Sequence, residues 1–128
     1  MKLKIDTKEN FTVLTPEESF ISANMTEDIE SMCGNASYKI PHIVVNMKMV
    51  EIIDEQAAEK FSQIQKQFYE QNKSMVICEL QKGVKKVFVK LELIDFMNIT
   101  PTESEAWDIL QMEEIERELL NDFYAEDK

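Results

Sequence analysis

The sequence is poor in the residues that build most recognisable sites. Its two glycines, Gly34 and Gly83, exclude a dinucleotide-binding fingerprint or a phosphate-cradling loop, because each needs several glycines within one strand-to-helix turn. His42 is the sole histidine, and the serines, those at 22, 31, 37, 62, 74 and 104 among them, include no Gly-x-Ser-x-Gly elbow. A nucleophilic triad therefore has no support. The two cysteines, Cys33 and Cys78, follow no metal-ligand spacing, and Cys78 closes the apolar run Met75-Val76-Ile77-Cys78. A buried free thiol in a reducing compartment is the expectation. There is one arginine, and 14 basic against 25 acidic residues give a net charge of −11. Phosphate backbones and anionic lipids reward clustered Lys and Arg, so nucleic acid is not an expected partner. No run approaches the roughly 18 apolar residues of a membrane span, and Met1 to Asp6 lacks a signal peptide's apolar core. The expectation is a cytoplasmic protein without direct membrane insertion.

What is present is a single stretch around which the rest can be arranged. The apolar run Ile43 to Val50 leads through Glu51-Ile52-Ile53-Asp54 into Ala57, Phe61, Ile64 and Phe68, spaced by four, three and four. The first half reads as a buried strand and the second as an amphipathic helix. Asp54 stands at the join, where a short side-chain oxygen can accept a bond from a free backbone N–H of the first helical turn. In open α/β sheets, the turn at the carboxyl end of a strand is where ligands and partners are usually met. Functional readout is therefore expected at Asp54, Glu55 and Gln56.

A chain of this length fits one compact domain that buries roughly two thirds of the surface its unfolded form exposes. The expected domain is 1–124, followed by a flexible acidic end at 125–128. In chain order, Lys2 to Asp6 and Phe11 to Leu14 make a hairpin around Lys8-Glu9-Asn10, closed by Pro16. Asn24 or Thr26 caps a short helix bearing Met25, Ile29, Met32 and Cys33, which Gly34 and Asn35 stop. After Pro41 come the central strand and the helix from about Glu55 to Gln71. The continuous run Ser74 to Leu80 is a second strand covered on both faces. Val84, Val87, Phe88 and Leu91 keep a helical rhythm over about 83–93, although Val and Phe favour strands. Met97 to Thr100 is a short last strand. Thr102-Glu103-Ser104-Glu105 is a capping box opening a final helix, whose buried stripe is Ile109, Met112, Ile115, Leu119 and Phe123, widened by Leu120 and Tyr124. The predicted fold class is α/β, a four- to five-stranded mixed sheet with four helices.

Glu51, Asp54 and Glu55 could be a carboxylate cluster for metal or acid–base work. A helix cap with acids near the positive helix end explains them more simply. His42 reads as a residue at a strand edge. No catalytic residue, metal or cofactor is expected.

The element order, with an apolar strand leading into Ile53-Asp54-Glu55-Gln56-Ala57-Ala58, resembles the STAS domain, the family of bacterial anti-sigma factor antagonists. The likeness runs from Lys2 to about Asp122, and the long acidic end around Thr102 to Leu110 is similar to a Bacteroidetes-type branch. In that family the turn reads Asp-Ser-Ser or Asp-Ser-Thr followed by Gly. The second hydroxyl is phosphorylated by a partner anti-sigma factor that is also a kinase, and the unphosphorylated form binds the partner. Aligned without gaps, Asp54 keeps the aspartate, Glu55 replaces the first hydroxyl residue, Gln56 the phospho-acceptor and Ala57 the glycine. Neither Glu55 nor Gln56 can take a phosphate.

Phosphate would bring about −1.5 to −2 charges to a helix N-terminus, whereas Glu55 supplies a single permanent one. The resemblance implies a constitutive, non-enzymatic binding module with a protein partner such as an anti-sigma factor. Its expected face comprises Ser22 and Asn24, the turn Asp54, Glu55 and Gln56, and Glu59 and Gln63 on the following helix. The alternative is an accessory STAS subunit of a transporter or signalling assembly. The acidic last helix reads first as a solvated outer face, with steering toward a basic partner as the functional alternative.

Overall fold

A computed structural model describes residues 2–8, 11–33 and 42–126, with the backbone alone at 32, 33 and 121–126. The strands are β1 (Leu3–Thr7), β2 (Thr12–Pro16), β3 (Phe20–Ile21), β4 (His42–Asn46), β5 (Ile52–Ile53), β6 (Ser74–Cys78) and β7 (Ile99–Thr100). The helices are α1 (Thr26–Cys33), α2 (Glu55–Glu70), α3 (Lys82–Lys90) and α4 (Glu103–Glu126). One sheet has the order β1-β2-β4-β6-β7, antiparallel between β1 and β2 and parallel elsewhere. β3 and β5 form a separate two-stranded parallel ribbon. The fold is the expected α/β arrangement of four helices on a mixed five-stranded sheet.

Side chains alternate between the sheet's two faces along each strand. Val13, Val44, Val76 and Cys78 meet Ala106 and Leu110 of α4 on one face. Leu14, Ile43, Val45, Met75 and Ile77 belong with Phe61, Ile64 and Phe68 of α2, and Val84 and Phe88 of α3, on the other. Burial on both sides is what makes β4 and β6 continuous apolar runs. In that core, burial, aided by the charges of Glu103 and Glu79, pushes the Cys78 thiol up to about 12.

Three sequence expectations need correction. The run from Ile43 to Val50 is not one strand, because β4 ends at Asn46, whose Oδ1 accepts from Lys48 N–H at 3.0 Å. Val50 N–H then closes a turn onto Met47 O at 3.0 Å. Met47 and Val50 are both fully buried, so hydrophobicity continues through a bend that local side-chain bonding creates. At α1, neither expected residue caps: a 3-10 turn over Ala23–Met25 precedes the helix, and Thr26 Oγ1 donates to Ala23 O at 2.6 Å. The ends expected at Lys8-Glu9-Asn10 and at Gly34-Asn35, and the side chains of Met32, Cys33, Phe123 and Tyr124, lie wholly or partly outside the described residues.

The third correction concerns α4. Its start is as expected, with Glu105 N–H donating to Thr102 Oγ1 at 3.3 Å, and Ala106 and Leu110 are buried. Of the expected stripe, Ile109 is half-buried against this face of the sheet, but Met112, Ile115, Leu119 and Leu120 are 54 to 63% exposed. Strands of five residues cover about 17 Å, which a helix spans in about 11 residues. Glu114 already reaches His42 at the first position of β4, with 3.5 Å between Oε2 and Nε2. Beyond that point α4 outruns the sheet. Its backbone stays helical through Glu126, including the first two residues of the expected flexible end.

Polar groups close the structure where apolar packing does not. Gln65 is 7% exposed. Its Nε2 donates to Met75 O at 2.9 Å and Asn98 O at 3.0 Å, while its Oε1 accepts from Asn98 N–H at 2.9 Å. Nearby, Asn98 Nδ2 donates to Glu113, Ser74 Oγ donates to the same carboxylate, and Arg117 donates to Ser74 Oγ and Lys73 O. Gly83 has its own reason: a Cβ there would collide with the carbonyl oxygen of Glu51, so only glycine lets α3 lie this close to β5.

Two stability predictions arise. Gln65→Leu strands Met75 O and Asn98 N–H without their partner, and is expected to cost about 2 kcal/mol or more, read as a lower urea midpoint. A midpoint unchanged from wild type would contradict the bridging role. His42 is 4% exposed, and no described group bonds its Nδ1. Burial depresses its pKa below the usual value, against the raising effect of Glu114 and Glu113, while Arg117 adds to the depression. The unfolded chain therefore binds this proton first, so the contribution is complete above about pH 6.5 and is lost as pH falls through the folded-state value. Urea midpoints between pH 7.5 and 5.5 are expected to drop more for wild type than for His42→Phe. Parallel slopes would refute this.

Candidate interaction face at the Asp54 turn

The two-stranded ribbon sets this site. Ile21 pairs with Ile53 in parallel register, and Asp54 N–H donates to Ile21 O at 2.9 Å. The chain segments leaving β3 and β5 therefore emerge side by side. Asp54 adopts an extended backbone, φ −70° and ψ 146°, and its Oδ1 accepts from Gln56 N–H at 3.0 Å. It is the N-cap of α2, as its position in the sequence suggests. Ala57 and Ala58 are fully buried, which presses the first helical turn onto the core and leaves Glu55 and Gln56 exposed.

Ser22 and Asn24 lie in the segment just after β3. Ser22 is half-buried, with its N–H on Met25 Sδ at 3.4 Å, and Asn24 is exposed. The 3-10 turn that holds Asn24 packs on α2. Glu59 and Gln63 are exposed one and two turns further along the helix. The structure thus brings Ser22 and Asn24 beside Asp54, Glu55 and Gln56, with Glu59 and Gln63 extending the same element away from the turn.

Glu55 is less free than its sequence position implies. Its Oε1 meets Lys90 Nζ at 2.5 Å, and the hydrogen bond to Glu55, reinforced by its charge, raises the lysine's pKa. Both side chains remain at least half exposed, so solvent screens the pair. Sequence reasoning missed this neighbour. α3 carries exposed Lys82, Lys85, Lys86 and Lys90, no acid, and an exposed Val89. A lysine-only helix in so acidic a chain was the available signal.

Among the described residues no three of His, Cys, Asp and Glu come together as metal ligands, and Asp54 and Glu55 are engaged by Gln56 and Lys90. An open cleft of about 510 Å³ lies at the other end of α2, rimmed by Lys66 and Lys73. Its polar floor, Gln65, Ser74, Asn98 and Glu113, is bonded to itself and to Arg117. Among the described residues no helix is long and apolar enough to cross a membrane.

A candidate anti-sigma factor antagonist of Thermotoga maritima superposes with a TM-score of 0.73 at 15% identity, covering 85% of this chain and 94% of that one. An anti-sigma factor antagonist from Mycobacterium paratuberculosis gives 0.67 at 13%, covering 86% and 93%. Part of the murine Solute Carrier 26 family member A9 anion transporter gives 0.64 at 10%, covering 80% of this chain but 18% of the transporter. These likenesses establish the fold. No curated protein sequence matches the chain. The family model for the STAS domain matches residues 2–106, from the first strand into α4, and the chain therefore belongs to the STAS domain family.

Proposed function

We propose that this chain is a non-enzymatic binding module that engages a regulatory protein, in the manner of an anti-sigma factor antagonist, through the Asp54 turn and the outer side of α2. The observation that carries the reading is the pairing of two loops by one backbone bond, Asp54 N–H to Ile21 O. It aligns Ser22 and Asn24 with Asp54, Glu55 and Gln56 on a rigid ribbon, so a partner meets a preorganised surface and little loop entropy is lost on binding. Lys90 of α3 stands at the same turn and gives the surface both signs of charge, which favours orientation and discrimination between partners.

The module works without the usual switch. The family's acceptor position is Gln56, whose amide cannot be phosphorylated, and Glu55 beside it is held by Lys90. Thr26 is no substitute, being fully buried with its hydroxyl bonded to Ala23 O. A subunit role in a transporter assembly is the alternative, and a chain encoded among transporter genes rather than sigma-factor and kinase genes would favour it.

Two outcomes are expected. Affinity for the cognate anti-sigma factor, measured by titration calorimetry, falls at least about tenfold, 1.4 kcal/mol, for Gln56→Lys and for Asp54→Lys. Gln56→Lys retains the cap, so it separates binding from the roughly 1 kcal/mol that loss of Asp54 costs the helix. Equal affinities for wild type and both variants would remove this face from the account. Incubated with a partner kinase and ATP, wild type is expected to incorporate no phosphate, whereas Gln56→Ser incorporates one. Phosphate on the wild-type chain would show that the switch survives elsewhere.

A further inference from the structure

The distal half of α4 runs past the sheet, with Arg117 reaching back to Lys73 O and Ser74 Oγ. The family match stops at residue 106, yet the helix continues to Glu126. At 1.5 Å per residue, the part beyond Glu114 reaches about 18 Å past the strand ends. From Met112 onward, among the described residues, a row of large apolar side chains lies open: Met112 is 59% exposed, Ile115 54%, Leu119 63% and Leu120 55%. Met112, Ile115 and Leu119 follow a three-then-four spacing, the seam of a two-helix coiled coil.

The charges beside that seam choose its occupant. Glu116 and Glu118 flank it and are exposed, at the positions that set partner choice in coiled coils. Arg117 cannot balance them, because its guanidinium is turned inward onto Lys73 O and Ser74 Oγ and its side chain is 20% exposed. Glu114 faces a His42 whose burial holds it toward the neutral form. A second copy docking helix to helix would set acids against acids. A helix with Lys or Arg beside its own apolar seam would cover Met112, Ile115 and Leu119 and neutralise Glu116 and Glu118 together.

We infer that the distal half of α4 is a second docking surface, built for a basic amphipathic helix of a protein partner. Glu114 marks the start of the strands, whereas Asp54 follows their far ends, so the two faces lie at opposite ends of the domain and can be occupied at once. The domain then links two proteins.

The test uses two fluorescent 28-residue heptad peptides with identical Ile/Leu seams, one flanked by Lys and the other by Glu, titrated by anisotropy against the full chain. Wild type is expected to bind the Lys peptide at least tenfold more tightly than the Glu peptide. The Ile115→Ser/Leu119→Ser variant, with every charge retained and circular dichroism unchanged, is expected to lose at least tenfold for the Lys peptide. Gln56→Lys is expected to bind that peptide as wild type does, which separates this surface from the Asp54 face. Equal binding of both peptides, or undiminished binding by the double-serine variant, would overturn the inference. So would concentration-dependent self-association of wild type in sedimentation velocity that Leu119→Ser abolishes, because the occupant would then be a second copy.

Discussion

The arrangement depends on how the chain passes from β5 into α2. Asp54 performs two tasks in one residue: its N–H extends the β3–β5 ribbon by one bond to Ile21 O, and its carboxylate caps the helix through Gln56 N–H. The first ties two loops distant in sequence; the second fixes the direction in which α2 leaves. Because Ala57 and Ala58 are fully buried immediately afterwards, the turn cannot lift away from the core without exposing them. A residue that sequence alone offers as either a cap or a catalytic acid is structurally committed, and what remains available is the surface it organises.

Much of the fold was legible because burial leaves period-dependent marks. The four-three-four spacing from Ala57 to Phe68 gave α2 nearly to the residue, and the rhythm of Val84 and Phe88 outweighed their strand propensity in α3. The failures share a physical cause, which is that hydrophobicity reports burial and not hydrogen bonding. Met47 and Val50 are as buried as β4 itself, so nothing in the apolar pattern announces the turn between them. In α4 the error ran the other way, since the stripe continues where there is no sheet left beneath it. Gln65 is the polar counterpart: a glutamine on a helix reads as solvated, and its use as a backbone substitute between β6 and β7 depends on tertiary placement.

The candidate site was less legible than the fold. The position of the turn and its cap were legible from the apolar run and from Asp54 itself, and the grouping of Ser22 and Asn24 with them came through resemblance to STAS domains. That residue 56 is a glutamine, with no hydroxyl to phosphorylate, was visible directly. The ion pair between Glu55 and Lys90 was not, because 35 residues separate the partners and only the packing of α3 beside α2 brings them together. That pair changes the electrostatic character of the face from a bare acidic bend to one in which a lysine stands against the acid.

The central claim, that this bend and its neighbours form a contact surface for a protein, is tested most directly by amide chemical-shift mapping of the isotope-labelled chain on addition of its cognate anti-sigma factor. The account predicts that the largest changes fall on residues 22–24 and 54–63, with the amides of β1 undisturbed. Changes confined to β1 and β2, with the Asp54 turn silent, would contradict it.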